Sequence, residues 1–329
     1  MLTPARAHTT LDPLTDAVAA HAEASEHTPE VYRMNRLLLL FAPLLLVACA
    51  NQETTTPPSK PHTPTITVVD GPATAEALTK RYNDTRRNCD SDSRPAFLCS
   101  GVILRVTTYS DTYDTWDPSP TAQKKGSVSF SYLRKDNNFK SFAWSTSNPN
   151  GFIFYPILGK PSDKDDIPVL CHFPMDGWTD RRTERYGCGA YPQVPGSEPC
   201  HQQNITTGAQ WVAKYPPGTS GNKICGFDVR DELNHHAGPN FYAAMQAKWS
   251  NKEYFGEHNE MLLRVWSPGQ GSVLPIQAFF YGSAAGLDPA RKSKQRFLTR
   301  TNINLPIIKV TLPTTPTGSA TFQYIAADQ

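Results

Sequence analysis

The sequence predicts an α+β fold: a mostly antiparallel, strand-rich single domain with a few short helices, stapled by disulfides. Three observations carry that expectation. Segments that alternate apolar and polar residues outnumber segments with helical spacing. The two kinds do not follow one another in the regular order of a doubly wound sheet. Finally, six cysteines remain in a chain that bears an export signal once the cysteine of that signal is set aside. At 329 residues and 39% apolar content the chain is long enough to bury a sizeable core, and its 29 prolines and 20 glycines demand many turns. Lysine plus arginine number 32 against 30 acidic residues, with no clustered basic excess of the kind that binds polyanions, so no nucleic-acid partner is expected.

The N-terminal region reads as processing sequence. Met34-Asn35-Arg36 is followed by the apolar run Leu37 to Val47 and then Ala48-Cys49. A basic start, a short apolar stretch and small residues before the cut make residues 34–48 a secretory signal peptide, too short to remain as a membrane span. Leu46-Val47-Ala48-Cys49 resembles the bacterial lipobox, which implies diacylglyceryl transfer to Cys49 and a membrane anchor there. Residues 1–33 are then an upstream extension of a start at Met34. Position 50 is Ala rather than the Asp of an inner-membrane retention signal, so the outer membrane of a Gram-negative cell is the expected address. Residues 49–69, rich in Thr and Pro, read as an extended tether, and residues 70–329 as the folded domain.

Within that domain, Asp70 is placed to cap a helix with Pro72 in its first turn, and Ala75, Leu78 and Tyr82 recur at helical spacing. Two alternating segments follow, around Val102 to Thr107 and Ser127 to Tyr132. Arg105 and the serines Ser129 and Ser131 occupy their polar positions and are expected to line one pocket. Residues 151–158 and 167–174 read as strands separated by a Lys/Asp-rich turn. The irregular stretch 176–199, with Trp178, Arg181, Arg182 and Cys188, needs a staple or a function at that length. A short helix with a Thr cap is expected over 206–215, a strand over 223–230, and a helix after His235-His236 with Phe241, Ala244, Met245 and Trp249 on its buried face. Strands at 260–266, 273–281, 305–312 and 320–326 close the chain, around one basic helix that reads as a solvated face.

Cys89, Cys99, Cys171, Cys188, Cys200 and Cys225 form an even set in an exported chain, hence three disulfides with fifteen conceivable pairings. Short loops favour Cys89 with Cys99 and Cys188 with Cys200, leaving Cys171 with Cys225. A zinc site using His172 or His201 beside their cysteines is the alternative. It lacks paired Cys-x-x-Cys spacing, and no metal is expected.

No GxSxG, P-loop, GxGxxG or HExxH motif occurs. What remains is Arg105 on the first strand, Ser129-Phe130-Ser131 on the next, and Glu257-His258-Asn259-Glu260 at the opening of a later strand. This set resembles the Arg, Ser-Thr-Ser and Glu-x-Glu pattern of the ADP-ribosyltransferase superfamily. CSGVILR, GSVSFSYLR and CGFDVRD behind an export signal are similar to the secreted bacterial halovibrins. The resemblance implies NAD as substrate, with Arg105 on its phosphate, Ser129 and Ser131 bracing the site and Glu260 catalytic. It also implies a protein acceptor or water for the ADP-ribose. His258 stands at the substrate-binding position where the pattern has an acid or amide, which weakens arginine-directed transfer more than hydrolysis. The rival expectation is a non-catalytic outer-membrane lipoprotein that acts as a binding module.

Overall fold

The computed structural model describes residues 65–111, 114, 116, 128–142, 149–154, 169–178, 188–189, 198–229, 236–263 and 275–329. The export signal, Cys49, Arg181, Arg182 and His235 lie outside this set.

In chain order the elements are β1 (Thr67–Val68), α1 (Gly71–Asn83), β2 (Val102–Val106), β3 (Val128–Leu133), β4 (Asn150–Phe154) and β5 (Val169–Phe173). After them come α2 (Gly208–Lys214), β6 (Phe227–Asp228), α3 (Ala237–Ser250), β7 (Glu260–Leu263) and β8 (Ile276–Tyr281). The last are α4 (Ala284–Thr301), β9 (Ile303–Asn304), β10 (Ile307–Thr311) and β11 (Thr321–Tyr324). Nine strands form one sheet in the order β11-β10-β8-β4-β2-β3-β7-β5-β6, and β1 pairs with β9 alone. Within the large sheet only β8 and β10, joined through α4, run parallel. The α+β, strand-rich expectation is met.

Local sequence explains the helix starts. The Asp70 carboxylate accepts from the Ala73 N–H at 2.9 Å, with Pro72 in the first turn where no N–H partner is needed. At α2, Thr207 and Gln210 form a reciprocal capping box. Alternation explains the layers. Leu104, Leu133, Ile153 and Phe280 face α1, meeting Leu78 and Tyr82. Ile103, Phe130, Tyr132 and Phe279 face the other way, against Phe241 and Met245 of α3 and Phe297 of α4. A third cluster joins Trp211 of α2 and Ala243, Ala244 and Ala247 of α3 to Phe173 and Leu262. Each fully buried Leu, Ile, Phe or Met among them contributes about 1.5 to 3 kcal/mol.

Four expectations change. The tether boundary moves, because Thr67 and Val68 form β1, with the Thr67 N–H donating to Asn302 O and the Val69 N–H to Asn304 O. Trp249, expected on the buried face of its helix, is 59% exposed, the buried stripe of α3 running through Phe241, Ala244, Met245 and Lys248 instead. The basic helix is a clamp more than a solvated face. Arg296 and Arg300 hold the Asp114 carboxylate at 3.1 and 2.6 Å, and Arg291 donates to the carbonyls of Ala327 and Asp328.

The fourth change concerns the cysteines. Cys89–Cys99 forms, but the other bridges are Cys171–Cys188 and Cys200–Cys225 rather than Cys188–Cys200 and Cys171–Cys225. The β5–β6 register explains why. Cys171 stands opposite Asp228, so Cys225 is three residues further along, about 10 Å away and beyond bridging distance. Gly226 also binds both partners of the observed arrangement, donating its N–H to Cys188 O and accepting from the Cys200 N–H. With all six thiols in disulfides, neither His172 nor His201 has a neighbouring thiolate for zinc.

Candidate functional site

β3 changes partner midway along its length. Ser131, Tyr132 and Leu133 pair with Leu104, Ile103 and Val102 of β2, whereas Val128, Ser129 and Phe130 pair with Leu263, Leu262 and Met261 of β7. Where each ladder lapses, a side chain takes over. Beside Ser129, Arg105 Nη1 donates to the Ser129 carbonyl at 2.5 Å and to its hydroxyl at 3.2 Å. Beside Tyr132, the Asn259 amide copies a peptide: Oδ1 accepts from the Tyr132 N–H at 2.9 Å and Nδ2 donates to its carbonyl at 2.7 Å. Satisfying both groups matters because Tyr132 is sealed from water and unpaired buried peptide groups are costly.

Register corrects the expectation that Arg105 shares a wall with both serines. Leu104 is opposite Ser131, so alternation places Arg105 on the other face, with Phe130, whose ring centroid lies 6.0 Å from the guanidinium carbon. Its guanidinium still reaches Ser129, at the end of β3 where β2 no longer pairs. The neighbouring strand is close there as well: a Cβ on Gly151 would fall 1.9 Å from the Arg105 carbonyl. Ser129, Ser131 and Glu260 lie on the same face, Ser131 following Phe130 and Glu260 preceding Met261 in that registered antiparallel pair.

Glu260 opens β7 opposite Phe173 and is buried, 6% exposed. Its Oε2 accepts from the Gly177 N–H at 2.9 Å. Gly177 follows Asp176, whose Oδ1 accepts from the Trp178 N–H at 2.8 Å and helps hold Trp178 in the left-handed region at φ 53°. The turn at Gly221–Lys223 presses on this loop, since a Cβ on Gly221 would lie 2.1 Å from the Asp176 carbonyl. One short loop therefore orients the carboxylate.

His258 lies two residues before Glu260 and is 8% exposed. Its Nε2 is 3.9 Å from Asp176 Oδ2, and its ring packs edge-on to Phe139. Burial pulls the imidazole down to about 4; the Asp176 carboxylate opposes that shift and the Lys248 charge adds to it. Lys248 is itself buried, donating to the carbonyls of Tyr254 and Glu257, and burial lowers its ammonium to about 7 against the pull of Glu257. Burial pushes the Glu257 carboxyl up, with Lys248 opposing and Asp176 adding. His172, by contrast, is a core residue: sealed, stacked 4.5 Å from Phe241, and held neutral by burial at about 3.

Asp176, Gly177, Lys248 and Asn259 join the site without having been singled out by sequence pattern. Lys248 alone carried a readable signal, since it interrupts the apolar face that Ala244 and Met245 define on α3. Among the described residues no group of three or more His, Cys, Asp or Glu is arranged to hold a metal ion. The chain matches no family model and no curated protein.

Proposed function

We propose that this is an exported, lipid-anchored enzyme that cleaves the nicotinamide-ribose bond of NAD, as an ADP-ribosyltransferase or an NAD glycohydrolase. The observation that carries the reading is the adjacency of β2, β3 and β7. The serine-bearing strand lies between the strands of Arg105 and Glu260, with Arg105 bonded to Ser129 and Glu260 oriented by the Gly177 N–H.

The chemistry suits those groups. NAD's pyrophosphate is anionic, and a guanidinium binds phosphate oxygens as a planar fork where an ammonium offers only a point charge. Cleavage builds oxocarbenium-like positive charge on the ribose, which a fixed carboxylate stabilises while accepting from the 2′-hydroxyl. Nicotinamide departs with the bonding pair as a neutral molecule, so no acid is needed to protonate it. Export and anchoring rest on the motif ending at Cys49, with the membrane and NAD as the partners implied.

The test is nicotinamide release from NAD by the oxidised full chain. Wild type is expected to release it, and Glu260→Gln to lose about 100-fold or more in kcat with its melting unchanged. A silent wild type overturns the proposal. For the anchor, Cys49→Ser is expected to free the protein from membranes, and unchanged membrane association overturns that part.

A further inference from the structure

Asp176 has no place in the pattern of Arg105, Ser129, Ser131 and Glu260, and His258 departs from the residue that the pattern has at its position, yet the two are built into the same place. His258 stands two residues before Glu260, at the entrance to β7. Asp176 lies 3.9 Å from His258 Nε2 and immediately precedes the Gly177 whose N–H holds Glu260. One loop thus fixes the carboxylate of Glu260 and the partner of His258 relative to each other. His258 is 8% exposed and makes no hydrogen bond among the described residues, so its ring has capacity for a small polar ligand.

We infer that water is the acceptor of the ADP-ribose, and that His258, backed by Asp176, is the base that activates it. This rests on the NAD-cleaving reading above and decides it in favour of hydrolysis. As the ribose C1–N bond breaks, its electron pair leaves with nicotinamide, neutralising the pyridinium ring. The water oxygen bonds to C1, and one water proton passes to the His258 imidazole and then to solvent. The products are ADP-ribose, nicotinamide and one proton. Asp176 stabilises the imidazolium formed in that step, as a carboxylate behind a histidine base does. The charged groups facing His258 are Asp176 and Lys248, with Glu257 beside Lys248. Burial, with Asp176 opposing and Lys248 adding, leaves the imidazole unprotonated, and able to accept, through the neutral range.

The experiment uses the oxidised full chain with NAD and agmatine, a guanidine nucleophile, measuring nicotinamide, ADP-ribose and ADP-ribosyl-agmatine. His258→Gln is expected to lower kcat for hydrolysis about 100-fold with KM for NAD little changed, and to raise the fraction of product carried by agmatine. Asp176→Asn removes the charge that raises the His258 pKa. It is expected to lower kcat and to move the acid limb of the pH profile, near pH 4 in wild type, to lower pH. Wild-type kcat and product ratio in His258→Gln, with Glu260→Gln inactive, overturn this inference and leave NAD cleavage standing. Wild type that releases no nicotinamide overturns both. If His258→Gln fails to fold by thermal melting, Asp176→Asn decides alone, and an unmoved acid limb overturns the inference.

Discussion

The two halves of the large sheet are held together by different means. From β11 to β2, strands of four to six residues lie between α1 on one face and α4 on the other, and no disulfide crosses that stack. From β3 to β6 the ladder is shorter and broken. β6 has two residues, β5 and β7 slip register between Val169 and Cys171, and Cys171–Cys188 and Cys200–Cys225 supply covalent ties. All the candidate catalytic groups except Arg105 belong to this second half. The contrast teaches that a backbone released from regular pairing can present side chains, provided other bonds replace the ladder's restraint.

The largest effect is expected from the buried ammonium in the second half. Lys248 has a folded pKa of about 7 against an ordinary 10.5, so between those values the unfolded chain binds more protons. Stability contributed by keeping Lys248 neutral is therefore present above about pH 10.5 and lost as pH falls toward 7, a swing on the order of several kcal/mol. Lys248→Met should flatten urea-derived stability across that window, and an unchanged slope would show that Lys248 is not the group responsible. Next, removing Cys200–Cys225 by a double Ser substitution should cost about 3 to 4 kcal/mol. The smaller Cys89–Cys99 loop should cost about 2.5 to 3 kcal/mol, by the same denaturation measurement. The reverse order would break the claim that the site half depends more on its staples. Asn259→Ala takes the side-chain partner from the Tyr132 N–H and leaves its carbonyl with the Asn137 amide alone, and should cost about 2 kcal/mol. Hydrogen exchange at Tyr132 sharpens this, since faster exchange confined to β3 and β7 is the expected signature. The smallest effect, about 1 kcal/mol, is expected for Thr207→Ala at the α2 cap.

What was legible in the sequence was local. The caps at Asp70 and Thr207 and the alternation of β2 and β3 depend on neighbours a few residues away, and each appears where the pattern placed it. Cysteine pairing depends instead on which strands are neighbours, and nothing near Cys171 announces that β6 lies beside β5 in that register. The face of Arg105 failed for a related reason. Alternation orders residues within each strand, but a one-residue choice of register decides which faces coincide. Asp176 was hidden because a loop aspartate acquires meaning only when the loop folds back on β7.

The strand order also sets a timetable. A chain emerging N-terminus first can assemble β4, β2 and β3, which are consecutive in space and close in sequence. The strands that flank this trio, β8 and β7, begin only at Ile276 and Glu260, and α1 waits for β10 and β11, where the Ala320 N–H meets the Tyr82 hydroxyl. Closure of the sheet is therefore a late, long-range event, slower than local hairpin formation. An early fragment exposes both edges of its three strands, so it gains from a holdase or from passage through a narrow conduit while still unfolded. The order of the strands thus delays the native state until nearly the whole chain has been delivered.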